Sequence, residues 1–338
     1  MPQIFKDWGQ APGTIEAPTD IVSRYERGEA GALYSREETE RFRAEMPNPD
    51  GEDICHAFGY ADSAAGKLVT PWVGVEATYP GCWPASPQRI GDCVSHNLRN
   101  QMLTTHVGEL LAGIPDEVSG KVEDRVDVSP EGLRDGVFAT EPAYRHRGHR
   151  SHGWYCPAAC RIAVQVTGCV VRKDYPGVKD LTRYDSRWAT ALATSEERDT
   201  FDDNRFREAT ELNSFEAIRD MLDRGFGVGS CGSEGFAKTR NEDGVARQTG
   251  RWAHAMAYVG ADDRDDTKAK YGGPLVLVLN SWGRSWIKGE RRVRGTSLMI
   301  PEGSFWAKWS DLRRRNTIAL SGLNGWARRS LPDYLGGW

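Results

Sequence analysis

Three side chains that together could make a working nucleophile are spread along this 338-residue chain: Cys93, His254 and Asn280. A thiol attacks only as thiolate, and a free cysteine of pKa about 8.5 is only a few per cent ionised at neutral pH. Gly91-Asp92 precedes Cys93, and Val94, Leu98 and Met102 recur at i, i+4 and i+8 of the following text. That pattern predicts a buried helix with Cys93 in its first turn. The N–H groups at a helix start, with an imidazolium alongside, favour a Cys⁻/His⁺ pair over the neutral one. An amide suits the third position, because its oxygen accepts from the ring N–H without adding a negative charge.

The elements that must position these residues can also be read. Trp252-Ala253-His254-Ala255-Met256-Ala257-Tyr258-Val259-Gly260 predicts an apolar strand carrying the histidine, and Leu275–Leu279 is the strongest strand signal, ending at Asn280. Asn213–Leu222 is an amphipathic helix with a cap at its start and Arg224-Gly225 at its end. Gly229-Ser230-Cys231-Gly232-Ser233-Glu234-Gly235 reads as a flexible loop between that helix and the His254 strand. Arg161–Val166 is strand-like, and Ser35–Arg43 opens with a capping-box pattern that predicts an exposed, charged helix. One helix followed by several strands implies an α+β arrangement. The expected division is a polar N-terminal extension over 1–70 and one unit over 71–338. That unit comprises a helical lobe at about 71–212, a β lobe at about 213–325 and a C-terminal tail.

Three windows carry a family resemblance: Gln88-Arg89-Ile90-Gly91-Asp92-Cys93, the strand text around His254, and Asn280-Ser281-Trp282-Gly283-Arg284-Ser285-Trp286. Together they resemble the papain-like cysteine peptidases, whose order is Cys, His, Asn and whose asparagine lies in an Asn-Ser-Trp-Gly-x-x-Trp motif. The resemblance spans about residues 80–310. His254 follows Cys93 by 161 residues, near the roughly 130–150 of that family. It implies a papain-like two-lobed fold, with a helical lobe carrying the cysteine helix and a β-barrel-like lobe carrying histidine and asparagine. It further implies Cys93 as nucleophile, His254 as general base and then acid, and Asn280 as the orienting amide. Gln88 with the Cys93 N–H would form the oxyanion hole, and Trp282 would cover the His254–Asn280 bond. No cofactor and no metal are implied, and the substrate would be a peptide or protein. The usual Cys-Gly-Ser-Cys-Trp text is absent: Ile90 stands for the earlier cysteine and Val94 for the tryptophan. Gln88 precedes Cys93 by five residues, one fewer than is familiar, and residues 1–70 lack the long helical pattern of that family's inhibitory propeptides.

Composition narrows the alternatives. Lys and Arg total 44 against 48 Asp and Glu, a net charge of -4, so no global attraction to a phosphate backbone is expected and nucleic acid is not an expected partner. Arg291, Arg292, Arg294 and the run Arg313-Arg314-Arg315 read as a solvated basic face. Mean hydropathy is -0.59 and the best apolar run is strand length, which predicts no membrane anchor. The seven cysteines are too sparse for a disulfide scaffold. With no basic and apolar leader after Met1, the expected location is the cytoplasm, with most thiols reduced. His146, His149, His152, Cys156, Cys160 and Cys169 are types that bind zinc, but Arg145, Arg147 and Arg150 interleave them and repel a cation. A bridge between Cys156 and Cys160 is the other reading of that pair. Two further functions compete with a peptidase: a non-catalytic papain-like module, for example in a virion, and a Cys-His amidase acting on peptidoglycan.

Overall fold

The computed structural model describes residues 55, 58–85, 87–88, 91–113, 128–145, 171–172 and 206–322, with short pieces at 32–33, 154–156, 159–160 and 331. The expected helix at Ser35–Arg43, the strand at Arg161–Val166, the histidines 146, 149 and 152, and Cys169 lie outside the described residues. Helices α1 (Pro71–Thr78), α2 (Cys93–Ala112), α3 (Pro130–Arg134) and α4 (Glu141–Arg145) come first. Helix α5 (Phe215–Asp223) and the main sheet follow. The sheet runs β4 (Ala209–Leu212), β9 (Asn316–Leu320), β5 (Gly227–Arg240), β6 (Ala246–Asp262), β7 (Leu275–Leu279) and β8 (Ser304–Lys308), with β2 (Leu68–Val69) also on β6. Every pairing in it is antiparallel. A separate parallel pair joins β1 (Ala32–Leu33) to β3 (Trp154–Tyr155). The chain is therefore α+β, a helical half against an antiparallel sheet half.

Helix α2 is the hinge of the two halves. Val94, Leu98, Met102, Leu103 and Val107 give it an apolar face, yet Ser95, Asn97, Asn100, Gln101 and Thr105 are buried too. Its polar face is covered because it packs against β5 and β6. Gly227 makes this approach feasible: a Cβ there would collide with the main chain of Gln101. Thr105 Oγ1 accepts from the Gly227 N–H at 2.7 Å and donates to the Leu320 carbonyl at 3.3 Å, so the contact is hydrogen-bonded as well as close.

Helix α5 has the expected cap, with the Ser214 hydroxyl accepting from the Ala217 N–H at 3.0 Å. On it Arg219 is buried and bonds Asp220 at 2.7 Å and Asp263 at 2.8 Å. Those carboxylates in turn accept main-chain N–H groups of Asp62, Ala64 and Gly66. A buried charge is tolerable only when paired in this way. Residues 62–69 are thereby held on the sheet half.

Adding one methyl group at the helix contact should be felt. The substitution Gly227→Ala is expected to lower the unfolding free energy by about 1–3 kcal/mol, read from urea denaturation. An unchanged urea midpoint would show that α2 is not pressed against β5 there.

Candidate functional site

His254 and Asn280 are 26 residues apart but meet because β6 and β7 pair with Ala257 opposite Leu279. Asn280 follows the end of β7, and the antiparallel register carries it back toward His254. Its Oδ1 accepts the His254 Nε2–H at 2.8 Å and the Ser281 N–H at 2.7 Å. An oxygen facing the ring requires the proton on Nε2, so in the neutral imidazole Nδ1 is the basic nitrogen. Trp282 stacks on the ring with centroids 4.6 Å apart and planes at 23°. Behind it, Trp252 and Trp286 pack edge-on, and Phe305 meets Trp286 in the same way. The His254–Asn280 bond is thus dry, which strengthens it.

Gln88 reaches the same loop from the other side. Its main-chain N–H donates to the Ser281 carbonyl at 2.9 Å, and its Oε1 accepts from Ser281 Oγ. The amide's oxygen is occupied by the serine, which makes Nε2 the end that donates elsewhere. Ser281 was not among the residues singled out from sequence, although it lies inside the Asn280–Trp286 motif.

Cys93 is the first residue of α2 and is completely buried. Asp92, the residue before the helix, makes no side-chain cap; its carboxylate instead faces His96 Nε2 at 3.3 Å, one turn on. Tyr144 from α4 donates to the Gly91 carbonyl at 3.4 Å and so packs the entry to the helix. His254 is also completely buried. Burial depresses its pKa from 6.5 to about 3, with the charges of Arg315 and His96 adding to the effect and the Asn280 bond opposing it. Desolvation in this buried setting works against the charged form of the ring.

Three expectations are corrected. Residues 229–235 are not a flexible loop but part of β5, with Gly232 opposite His254 and Ser230 and Cys231 buried. Cys156 pairs with Cys231, not with Cys160, in a disulfide that closes 75 residues. These two are bridged, whereas Cys55, Cys82, Cys93 and Cys160 are buried and outside any disulfide among the described residues. Among the described residues no cluster of three or more metal-ligating side chains forms, and no helix is long and apolar enough to cross a membrane. Finally, Arg313 and Arg314 are exposed as a basic face requires, but Arg315 is buried. Nothing but its place at the edge of β9 distinguished it in the sequence from its two neighbours.

No family model and no curated protein matches the chain. Among solved structures it is similar to xylellain, a cysteine protease from Xylella fastidiosa, at 15% identity and a TM-score of 0.44, over 73% of this chain and 88% of that one. It is likewise similar to procathepsin L2 from the larval midgut of Tenebrio molitor, at 12% identity and a TM-score of 0.46, over 90% and 88%. A third is the ragweed pollen cysteine protease Amb a 11 in its proform, at 14% identity and a TM-score of 0.43, over 90% and 93%.

The depressed histidine has a consequence for stability. Unfolded chain takes a proton at this residue below pH 6.5, while folded chain does not until about pH 3. Its contribution is present above pH 6.5 and is lost as pH falls through that window. Replacing it, as His254→Gln, is expected to flatten the acid decline of the urea midpoint between those limits. Parallel declines in both proteins would contradict the assignment.

Proposed function

We propose that this chain is a thiol-dependent peptidase that cleaves peptide bonds through a Cys93 acyl-thioester. The observation that carries the reading is the buried His254–Asn280 bond of 2.8 Å beneath Trp282. It turns Nε2 to Asn280 and leaves Nδ1 as the nitrogen that exchanges a proton, on a strand packed against the helix that Cys93 begins. In the first step Cys93 Sγ bonds to the peptide carbonyl carbon, and the thiol proton passes to His254 Nδ1. The oxyanion takes hydrogen bonds from the Gln88 amide and the Cys93 N–H. The resulting imidazolium then protonates the departing amine, and the C–N bond breaks. Water, losing a proton to His254, attacks the thioester and releases the acid with the proton returned to sulfur. No cofactor takes part, and the substrate is a peptide or protein. Cytoplasmic residence stays part of the reading.

A second reading, a non-catalytic papain-like module, is favoured by one observation: Cys93 and His254 are both completely buried. Covered in this way, the site must open before any substrate reaches it.

Alkylation separates the two. Cys160 and Cys82 are poor competitors, since burial pushes the first up to about 12 and raises the second too. Iodoacetamide is expected to modify Cys93 ahead of Cys82 and Cys160, and His254→Ala to remove that preference. Gln88→Ala should lower hydrolysis of a labelled casein by about 10²–10³. Uniform labelling of all thiols, or a Cys93→Ala variant as active as wild type, would favour the non-catalytic module.

A further inference from the structure

Helix α2 lies along β5 in a fixed register. A Cβ on Gly225, just before the strand, would stand 2.9 Å from the Gly108 Cα, and one on Gly227 would stand 2.6 Å from the Gln101 Cα. The Gly227 N–H also bonds Thr105 Oγ1. A Cβ on Gly229 would meet the side chains of Asn97 and Gln101. Two residues of strand, about 6.7 Å, are thus matched by four of helix, about 6 Å. Alternation puts 227, 229 and 231 on one face of β5, and the strand pairs without a shift as far as Cys231 on both of its neighbours. One more step of this register would set Cys231 against the first turn of α2, which Cys93 begins. Both cysteines are completely buried. Cys231 is also bridged to Cys156, and its partner on β6 is Ala255, the residue after His254.

We propose that Cys93 exchanges into this disulfide, with Cys231 as the sulfur it attacks, so that the nucleophile is stored in a Cys93–Cys231 bridge. In the step, the Cys93 thiol gives up its proton and its sulfur bonds to Cys231 Sγ. The Cys156–Cys231 bond breaks, its electron pair leaves with Cys156 Sγ, and a proton is taken up there. One disulfide and one thiol are present before and after, so no oxidant or reductant is consumed. A bridge spans Cα atoms about 4.4–6.8 Å apart, and the glycines at 227 and 229 let the main chains of helix and strand come that close. Burial favours such an internal partner over a dissolved one. In the exchanged form Cys93 has no thiolate with which to attack a carbonyl. A dithiol reductant splits the bridge, returning two thiols and leaving as its own cyclic disulfide. The switch acts on the site of the proposed peptidase and rests on Cys93 as its reactive thiol.

Bridged peptides identify the pairing. Full-length protein without reductant is incubated at mildly alkaline pH, which favours thiolates, then denatured in N-ethylmaleimide, digested unreduced and read by mass spectrometry. The wild type is expected to yield a Cys93–Cys231 peptide beside Cys156–Cys231, with Cys156 carrying maleimide in the exchanged fraction. In C156S, oxidised glutathione supplies the oxidising equivalents instead. It should produce the Cys93–Cys231 bridge and abolish iodoacetamide labelling of Cys93, and dithiothreitol should restore that labelling. Absence of the Cys93–Cys231 peptide from the wild type overturns the exchange, whether or not C156S folds. A folded C156S chain in which Cys93 carries only glutathione, or in which Cys231 bridges Cys160 instead, overturns the pairing itself. Neither readout uses a peptide substrate. Reduced protein that leaves casein intact therefore defeats the peptidase reading, while the Cys93–Cys231 peptide decides this proposal separately.

Discussion

The close seating of α2 on β5 and β6 is the constraint from which the rest follows. One helix turn brings Gln101 against Gly227, and Thr105 ties the two elements by accepting and donating at once. This contact buries a helix whose sides are mostly polar and whose first residue is Cys93. If the helix stood a side chain's width away, β5 would need larger residues, and the depth that keeps water from His254 would be lost. Apolar strands of β7 and the tryptophan cluster then seal the other side of the ring.

Within that frame the interior carries an unusual amount of charge. Asp92 with His96, Arg219 with Asp220 and Asp263, and Arg315 with Glu234 are all wholly or largely buried. Arg219 and Arg315 are compensated locally, and each ties two or more segments together. Such pairs give little net stability compared with apolar packing, but breaking one by removing a single partner costs about 3–5 kcal/mol. They make the arrangement of strands around His254 hard to shift by small amounts.

Much of this was legible from residue patterns, and the failures have physical reasons. Helix α2 shows through the spacing of Val94, Leu98 and Met102, β7 through an unbroken aliphatic run, and the start of α5 through Ser214. The meeting of His254 with Asn280 could be anticipated from the order and text of their motifs, since each ends or occupies a strong strand. By contrast, β5 was hidden because Gly227, Gly229, Gly232 and Gly235 carry no side chains to display an alternation. Arg315 was hidden in a charge run, where burial depends on which residue the sheet edge happens to reach. The Cys156–Cys231 pairing joins residues 75 apart, and no local pattern reports so distant a contact. Ser281 sat inside a readable motif, but its partner Gln88 lies 193 residues away.

The Arg219 cluster places a demand on how the chain can be shortened. Asp220 and Asp263 are bonded not only by the guanidinium but by the main-chain N–H groups of Asp62, Ala64 and Gly66. Directly afterwards, β2 lies along the end of β6. A chain trimmed to begin at α1 would lose those amides and that edge strand together, uncovering the far end of the very strand that bears His254. Any natural or engineered cleavage that preserves the sheet must therefore fall upstream of this clasp.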